Sequence, residues 1–248
     1  MKQDGYGSFG ANAVKYGIAR QVFPEKIFSY LKERAGKRTN VLDMGCGTGI
    51  PSRQLADHGF IVTGSDIDKR MIEQAKIDSK DFNIKYVISP LGKLPFNDRF
   101  FDIVTAFSAF HWFCDGESLS EIKRVLNNKG LLFIVNKNET GDIKKIIKNT
   151  LKPFISELPK DAKKDYNPAI ILKEWGFNDI QEYVVLVTEE YTIEDALLYA
   201  QTMSVWNFVK ENNHEEVLQA LRDIFVSIAQ NGIVMRPLEV KVVSGFKF

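Results

Sequence analysis

The sequence predicts an α/β fold, a mostly parallel sheet with helices on both faces. Three observations carry that prediction. From Val41 onward, short apolar runs alternate with stretches of helical period. The strand-like runs are apolar throughout, the pattern of strands buried on both faces. The first of them, VLDMGCGTGI, ends in a run of glycines that opens a helix, the punctuation of a strand–turn–helix unit.

The elements follow in order. FGANAVKYGIARQVFPEKIFSYLKERAG precedes the first strand and supplies a helix plus a flexible leader. RTNVLDMG is the first strand. IPSRQLADHG is a helix, with Pro51 in its first turn and Gly59 as its stop. FIVTGSDID is the second strand. KRMIEQAKIDSK places Met71, Ile72 and Ala75 at helical spacing, with Asp68 positioned to cap it. IKYVIS and FFDIVTAF are the third and fourth strands. ESLSEIKRVLNNKG is a helix with Ile122, Val125 and Leu126 on one face and Gly130 past its end, and LLFIVN is the fifth strand. Each crossover between parallel strands is expected to be right-handed.

Beyond Asn136 the order loosens. IKKIIKNTLKPFISEL and PAIILKEWGF have helical character, QEYVVLVTEEYT is a sixth strand, residues 193–232 are mostly helical, and LEVKVVSGFKF is a terminal strand. Helices are therefore inserted between the last two strands. Ligands of open α/β sheets bind beyond the C-terminal strand ends. The insertion reads as a lid over such a site in preference to a surface elaboration.

The bulk properties narrow the function. A chain of 248 residues with 44% hydrophobic and 26% charged residues is an ordinary globular domain. A net charge of +1 argues against a nucleic-acid partner. Apolar runs such as LLFIV are too short to span a bilayer, and MKQDGYGSFG lacks the apolar core of a signal peptide. The 2 cysteines, Cys46 and Cys114, form no disulfide framework, which fits a reducing cytoplasm. No motif suggests a metal site.

The glycine loop is the strongest local signal. Gly45, Gly47 and Gly49 turn the chain sharply and leave the main chain open to close approach by a ligand. The spacing is G-x-G-x-G, where a dinucleotide fingerprint has G-x-G-x-x-G. Asp43, two residues before the first glycine, suits a ligand with a positive amino end. Asp66, at the tip of the second strand, is placed to accept from both hydroxyls of a ribose. Ile67 beside it can lie against an adenine face.

Four segments in order, VLDMGCGTG, TGSDID, KLPFNDRFFDIVTAFSAFHWF and EIKRVLNNKGLLFIV, resemble the class I S-adenosylmethionine-dependent methyltransferases. Within them the similarity is to the small-molecule branch that includes trans-aconitate methyltransferase-like enzymes. The resemblance implies a Rossmann-like sheet of seven strands, mostly parallel, with the last strand antiparallel and inserted between the fifth and sixth. It implies one domain over residues 1–248, with a leader at 1–38, a cofactor-binding core at 39–136 and an acceptor lid at 193–232.

For individual residues the resemblance implies that Gly45 and Gly47 cradle the methionine part of S-adenosylmethionine, that Asp43 reaches its amino group through water, and that Asp66 binds the ribose. Ala106 and Phe107 offer carbonyls to the ammonium. The segment before LPF contacts adenine in the family, often through an acid. Here ISPLGKLPF has no acid, so the contact falls to Ser89 and the amide of Leu91. Tyr16 and Arg20 match a Y-x-x-x-R pattern that folds over the cofactor, with a plain surface arginine as the equal alternative.

His111, one of 3 histidines, stands in SAFHWF just past the fourth strand. Methyl transfer needs alignment and exclusion of water. A carboxylate acceptor is already ionised, whereas a hydroxyl acceptor profits from a base. His111 is therefore a base, a substrate hydrogen-bond donor, or a structural residue. Trp112 lines the pocket or packs in the core, and Phe113 belongs to the core. Tyr199, Trp206 and Phe208 form an acceptor wall or the core of the insertion, and Arg236 holds an acidic substrate or is a solvated surface residue. The activity implied is methylation of a small molecule at oxygen, carboxylate or hydroxyl. The alternatives are a non-catalytic cofactor-binding protein, a nicotinamide-dependent oxidoreductase, and methylation of RNA or protein.

Overall fold

The computed structural model describes residues 10–90, 92–155 and 166–248. Two helices open it, α1 (Ala13–Ala19) and α2 (Glu25–Ala35), followed by β1 (Asn40–Met44), α3 (Ile50–Asp57), β2 (Ile61–Asp66), α4 (Lys69–Asp78), β3 (Lys85–Ile88), β4 (Phe101–Phe107), α5 (Gly116–Val125) and β5 (Leu126–Glu139). Then come α6 (Ile143–Leu151), α7 (Pro168–Glu174), β6 (Phe177–Thr192), α8 (Ile193–Gln201), α9 (His214–Ile228) and β7 (Ile233–Lys247).

The strands form one seven-stranded sheet in the order β3-β2-β1-β4-β5-β7-β6, with the last strand antiparallel. The pairs β1–β2, β1–β4, β2–β3 and β4–β5 are parallel. The strand order reverses between β1 and β4, the topological switch point at which open α/β sheets bind ligands.

Local chemistry explains the helix starts. Asp68 caps α4 by accepting from the Arg70 amide, and Pro51 lies in the first turn of α3. Asp115 caps α5 through the Ser118 amide, and Asn167 caps α7 through the amides of Ala169 and Ile170. Such caps each contribute about 1 kcal/mol.

One boundary differs from expectation. The helix expected to run to Gly130 stops at Val125, and β5 begins at Leu126. Leu126 is already extended and pairs with Phe101, while a register shift follows before Ile103 pairs with Leu131. Lys129 takes a φ of 59° within this bulged stretch. Asn127–Gly130 is thus drawn into the sheet, and Gly130 does not serve as a helix stop.

The chain sorts into two compact units. One comprises residues 22–137, 162–185 and 240–248; the other comprises 1–21, 138–161 and 186–239. In the first, Leu42, Met44, Val104 and Ile134 of the central strands share a core with Leu119, Ile122 and Val125 of α5 and Leu172 of α7. These side chains are almost wholly buried, and each such burial stabilises the fold by roughly 1.5–3 kcal/mol.

The second unit packs α8 against α1 and α9, and α9 against α6. Its core takes in Ile147, Leu151, Tyr199, Trp206, Leu221 and Phe225. Tyr199 and Trp206 are therefore core residues of this unit. Arg236 is not the solvated surface arginine expected: it is 5% exposed. Its guanidinium donates to Glu139 over 2.8 Å and to Glu189 over 2.7 Å, and lies 4.4 Å from the centre of the Tyr199 ring. No helix among the described residues is long and apolar enough to cross a membrane.

Candidate active site

The site is built where β1, β2 and β4 end. Gly45, Gly47 and Gly49 all adopt positive φ, at 67°, 54° and 77°. Their surroundings differ. A Cβ on Gly45 would lie 2.6 Å from the Ala109 side chain, and one on Gly49 would lie 2.3 Å from the Tyr86 hydroxyl. A Cβ on Gly47 would meet nothing within 4 Å. Two of the glycines are thus required by packing, and the third leaves open space above the main chain.

Two carboxylates organise this loop. Asp66 Oδ2 accepts from the Gly47 amide over 2.9 Å, and its Oδ1 accepts from the Asp68 amide over 2.9 Å. Burial raises the Asp66 pKa against the pull of these amides. Asp43 is fully buried; Ser52 donates to its Oδ2 over 2.6 Å and Thr105 to its Oδ1 over 2.9 Å. Burial pushes its pKa up to about 7, with the two hydroxyls holding it back. Asp43 thereby ties β1 to both α3 and β4.

The chain leaves β4 through Ser108, a non-glycine residue at φ 52° whose amide donates to the Val135 carbonyl over 2.7 Å. Such a conformation costs about 1 kcal/mol or more and clusters at functional sites. It turns the chain into the short 3-10 segment Phe110–Trp112. Phe110 and Phe113 are buried, and a Cβ on Gly45 would lie 3.3 Å from Phe113 Cε1. The Phe113 packing couples the two loops. The His111 ring sits half-buried, 4.8 Å from the Trp112 ring and 6.0 Å from Tyr166, which it meets edge-on.

Asp43, Gly45, Gly47, Asp66, Ile67, Ser89, Ala106, Phe107 and His111 all lie in the unit that carries residues 22–137, at or next to the C-terminal strand ends. Ile67 is 53% exposed, an apolar surface beside the Asp66 carboxylate. Ser89 is buried, its amide donating to the Asp66 carbonyl and its hydroxyl to the Pro90 carbonyl. Ala106 and Phe107 are buried in the last turn of the β4–β5 ladder, opposite Ile134 and Val135. Leu91 lies outside the described residues.

Tyr16 and Arg20 belong to the other unit. There Arg20 Nε donates to Thr202 Oγ1 over 3.0 Å, and its guanidinium lies over the rings of Tyr16 and Tyr199 at 4.9 and 4.7 Å. It is held in place, unlike a plain surface arginine.

Sequence reading missed Asn136 and Tyr166. Asn136 Nδ2 points to the Tyr166 hydroxyl at 3.5 Å, and burial pushes the Tyr166 phenol above its ordinary pKa. Asn136 follows Val135, the partner of Phe107, so the strand-end rule identifies it. Tyr166 lies in no regular element and gives no sequence signal.

The residues fit an adenosyl cofactor carrying an amino acid. Gly47 leaves its backbone open, Asp66 and Ile67 put an acceptor beside an apolar surface, and the buried hydroxyls of Thr48 and Ser65 have no hydrogen-bond partner among the described residues. Orphaned buried polar groups of this kind each cost about 1–3 kcal/mol unless a partner supplies the bond. No cluster of three or more potential metal ligands occurs among the described residues.

Comparison with known proteins bears on this site. Residues 42–134 match the family model described as a methyltransferase domain. An uncharacterised methyltransferase of Schizosaccharomyces pombe is 23% identical over 237 residues, covering 90% of either chain. The demethylmenaquinone methyltransferase of Thermotoga maritima is 36% identical over 128 residues, 48% of this chain and 55% of its own. The chain thus spans nearly the whole of the first relative and about half of the second. Among solved structures, a phosphoethanolamine N-methyltransferase of Haemonchus contortus bound to S-adenosylhomocysteine aligns with TM-score 0.57 and 18% identity, covering 99% of this chain and 58% of that one. A putative type II methyltransferase from Anaeromyxobacter dehalogenans aligns with TM-score 0.63 and 20% identity, covering 92% and 96%.

Proposed function

The chain is a class I S-adenosylmethionine-dependent methyltransferase, and we propose that it methylates a hydroxyl oxygen on a small aromatic acceptor. The observation that carries this reading is His111, whose ring neighbours those of Trp112 and Tyr166 just beyond β4. Aromatic walls suit a flat apolar acceptor, and an imidazole suits a group that must lose a proton. A carboxylate acceptor needs no such base. The relative named for demethylmenaquinone, a quinone, supports a flat ring acceptor, and the choice of oxygen rests on His111. The net charge of +1 supports a small molecule over a nucleic acid.

When bound, the cofactor would supply an electrophilic methyl carbon on a cationic sulfur: the acceptor oxygen would take the methyl, and the C–S electron pair would leave with the sulfur of S-adenosylhomocysteine. Gly45 and Gly47 would hold its amino-acid part, Asp66 its ribose hydroxyls and Ile67 a face of its adenine. His111 takes the hydroxyl proton, so that the oxygen carries its electron pair into the new bond. Trp112 and Tyr166 confine the ring and exclude water.

The test is a screen of phenols, catechols and aliphatic carboxylic acids with wild-type protein and His111→Ala. Methylation of phenols or catechols, reduced about 10²–10⁴-fold in the variant, supports the reading. Methylation confined to carboxylic acids, at equal rate in both proteins, overturns it.

A further inference from the structure

The segment after β3 lacks the acidic side chain that an adenine amine would favour. Ser89 spends its hydroxyl on the Pro90 carbonyl. Pro90 and Gly92 have no polar side chain, and Lys93 is a cation. Adenine nevertheless presents its exocyclic amine as a hydrogen-bond donor, and binding leaves that donor unpaired unless the protein provides an acceptor.

The fold brings an acceptor there from elsewhere. Glu117 stands in the first turn of α5, and its carboxylate packs directly on Gly92: a Cβ built on that glycine would lie 2.7 Å from Glu117 Cδ and 2.8 Å from its Oε1. The same helix grips the chain just beyond. Glu121 accepts from the Leu94 amide over 2.8 Å, and Arg124 donates to the carbonyls of Leu94 and Phe96 over 3.0 and 2.8 Å. The Asp115 cap, taking both the amide and the hydroxyl of Ser118, fixes the start of the helix. Segment and helix turn are thus held together, and Gly92 makes room for the carboxylate.

Glu117 is exposed and makes no hydrogen bond or ion pair with another described residue. Gly92, on which the carboxylate packs, stands three residues beyond Ser89, whose amide donates to the carbonyl of Asp66, the residue proposed to hold the ribose. A carboxylate only accepts hydrogen bonds.

We propose that Glu117 accepts a hydrogen bond from the exocyclic amine of the cofactor's adenine, and that Gly92 is the residue that admits it. The inference rests on the cofactor reading and adds the residue that selects the base.

Calorimetric titration of the full chain with S-adenosylhomocysteine and S-inosylhomocysteine tests it. The inosyl ligand carries a carbonyl where adenine has its amine. Wild-type protein is expected to prefer the adenosyl ligand by about tenfold or more. Glu117→Ala brings the two affinities together by weakening the adenosyl ligand alone, and Gly92→Ala, whose methyl displaces the carboxylate, does the same. Equal loss of both ligands in Glu117→Ala signals general damage to the site and overturns the inference, as does a wild-type protein that binds the two equally. Failure of wild-type protein to bind either ligand overturns the cofactor reading and the inference with it.

Discussion

The Gly47 amide donates to the Asp66 carboxylate over 2.9 Å, so the residue at the end of β2 shapes the loop that follows β1. Asp66 therefore fixes the loop in addition to the ribose-binding role proposed for it. Asp66→Ala is expected to weaken S-adenosylhomocysteine binding by about 100-fold or more, since it removes charge-assisted bonds on both counts. Asp66→Asn keeps an acceptor for the Gly47 amide and is expected to fall between the two. Calorimetry on the three proteins checks the order.

The glycines of the loop separate stability from binding. Gly49→Ala forces a Cβ to 2.3 Å from the Tyr86 hydroxyl at φ 77°, so the cost falls on the fold, about 2–4 kcal/mol, read as a lowered urea midpoint. Gly47→Ala meets no atom within 4 Å and carries only the strain of its φ of 54°, about 1–2 kcal/mol. Its methyl enters the space above the main chain. The expected result is a modest loss of stability and a large loss of cofactor affinity, the reverse of the balance at Gly49.

Asp43 makes stability depend on pH in an unusual direction. Its folded pKa of about 7 lies above the ordinary aspartate value of 3.8, so between these limits the folded state holds a proton that the unfolded chain has released. Stability is greatest at the acid end of the window. It falls as pH rises toward 7, by up to about 1.4 kcal/mol per pH unit, and levels off above it. Asp43→Asn cannot release a proton and is expected to remove this contribution. Urea unfolding of both proteins at pH 5, 6, 7 and 8 gives the difference, and a wild-type curve parallel to that of the variant would contradict the assignment.

Much of this site was legible in the sequence, because backbone requirements leave plain marks. Glycines at positive φ, a carboxylate at the tip of a strand and an apolar run between turn residues are read from residue type and spacing alone. The capping role of Asp68 followed from the same logic. What depends on tertiary packing was hidden. Glu117 looks like any acid in a first helical turn until the fold lays it on Gly92, and Tyr166 becomes part of the site only through Asn136 and His111. The helix α5 ends at Val125, ahead of the glycine stop read from the sequence, because Asn127, Asn128 and Gly130 are weak helix formers and Leu126 pairs with Phe101. Arg236 was misjudged for a similar reason. Arginine is an exposed residue type, and only the fold shows two glutamates around it.

Arg236 offers a last test, on the unit that holds the helical insertion. Its guanidinium is the shared partner of Glu139 and Glu189, all three largely buried, and Tyr191 adds a 2.7 Å hydrogen bond to Glu189. Burial of the group acts to lower its pKa, but the tyrosines and glutamates around it prevail and keep the charge in place. Replacing Arg236 with Met leaves two carboxylates buried without that counter-ion, which costs about 3–5 kcal/mol. Replacing Glu139 and Glu189 with Gln in the same protein removes most of that penalty, because neutral amides carry no unbalanced charge. The prediction is a sharp fall in melting temperature for Arg236→Met and a partial recovery in the triple variant. A triple variant no more stable than the single one would show that Arg236 acts through its packing on Tyr199 rather than through charge.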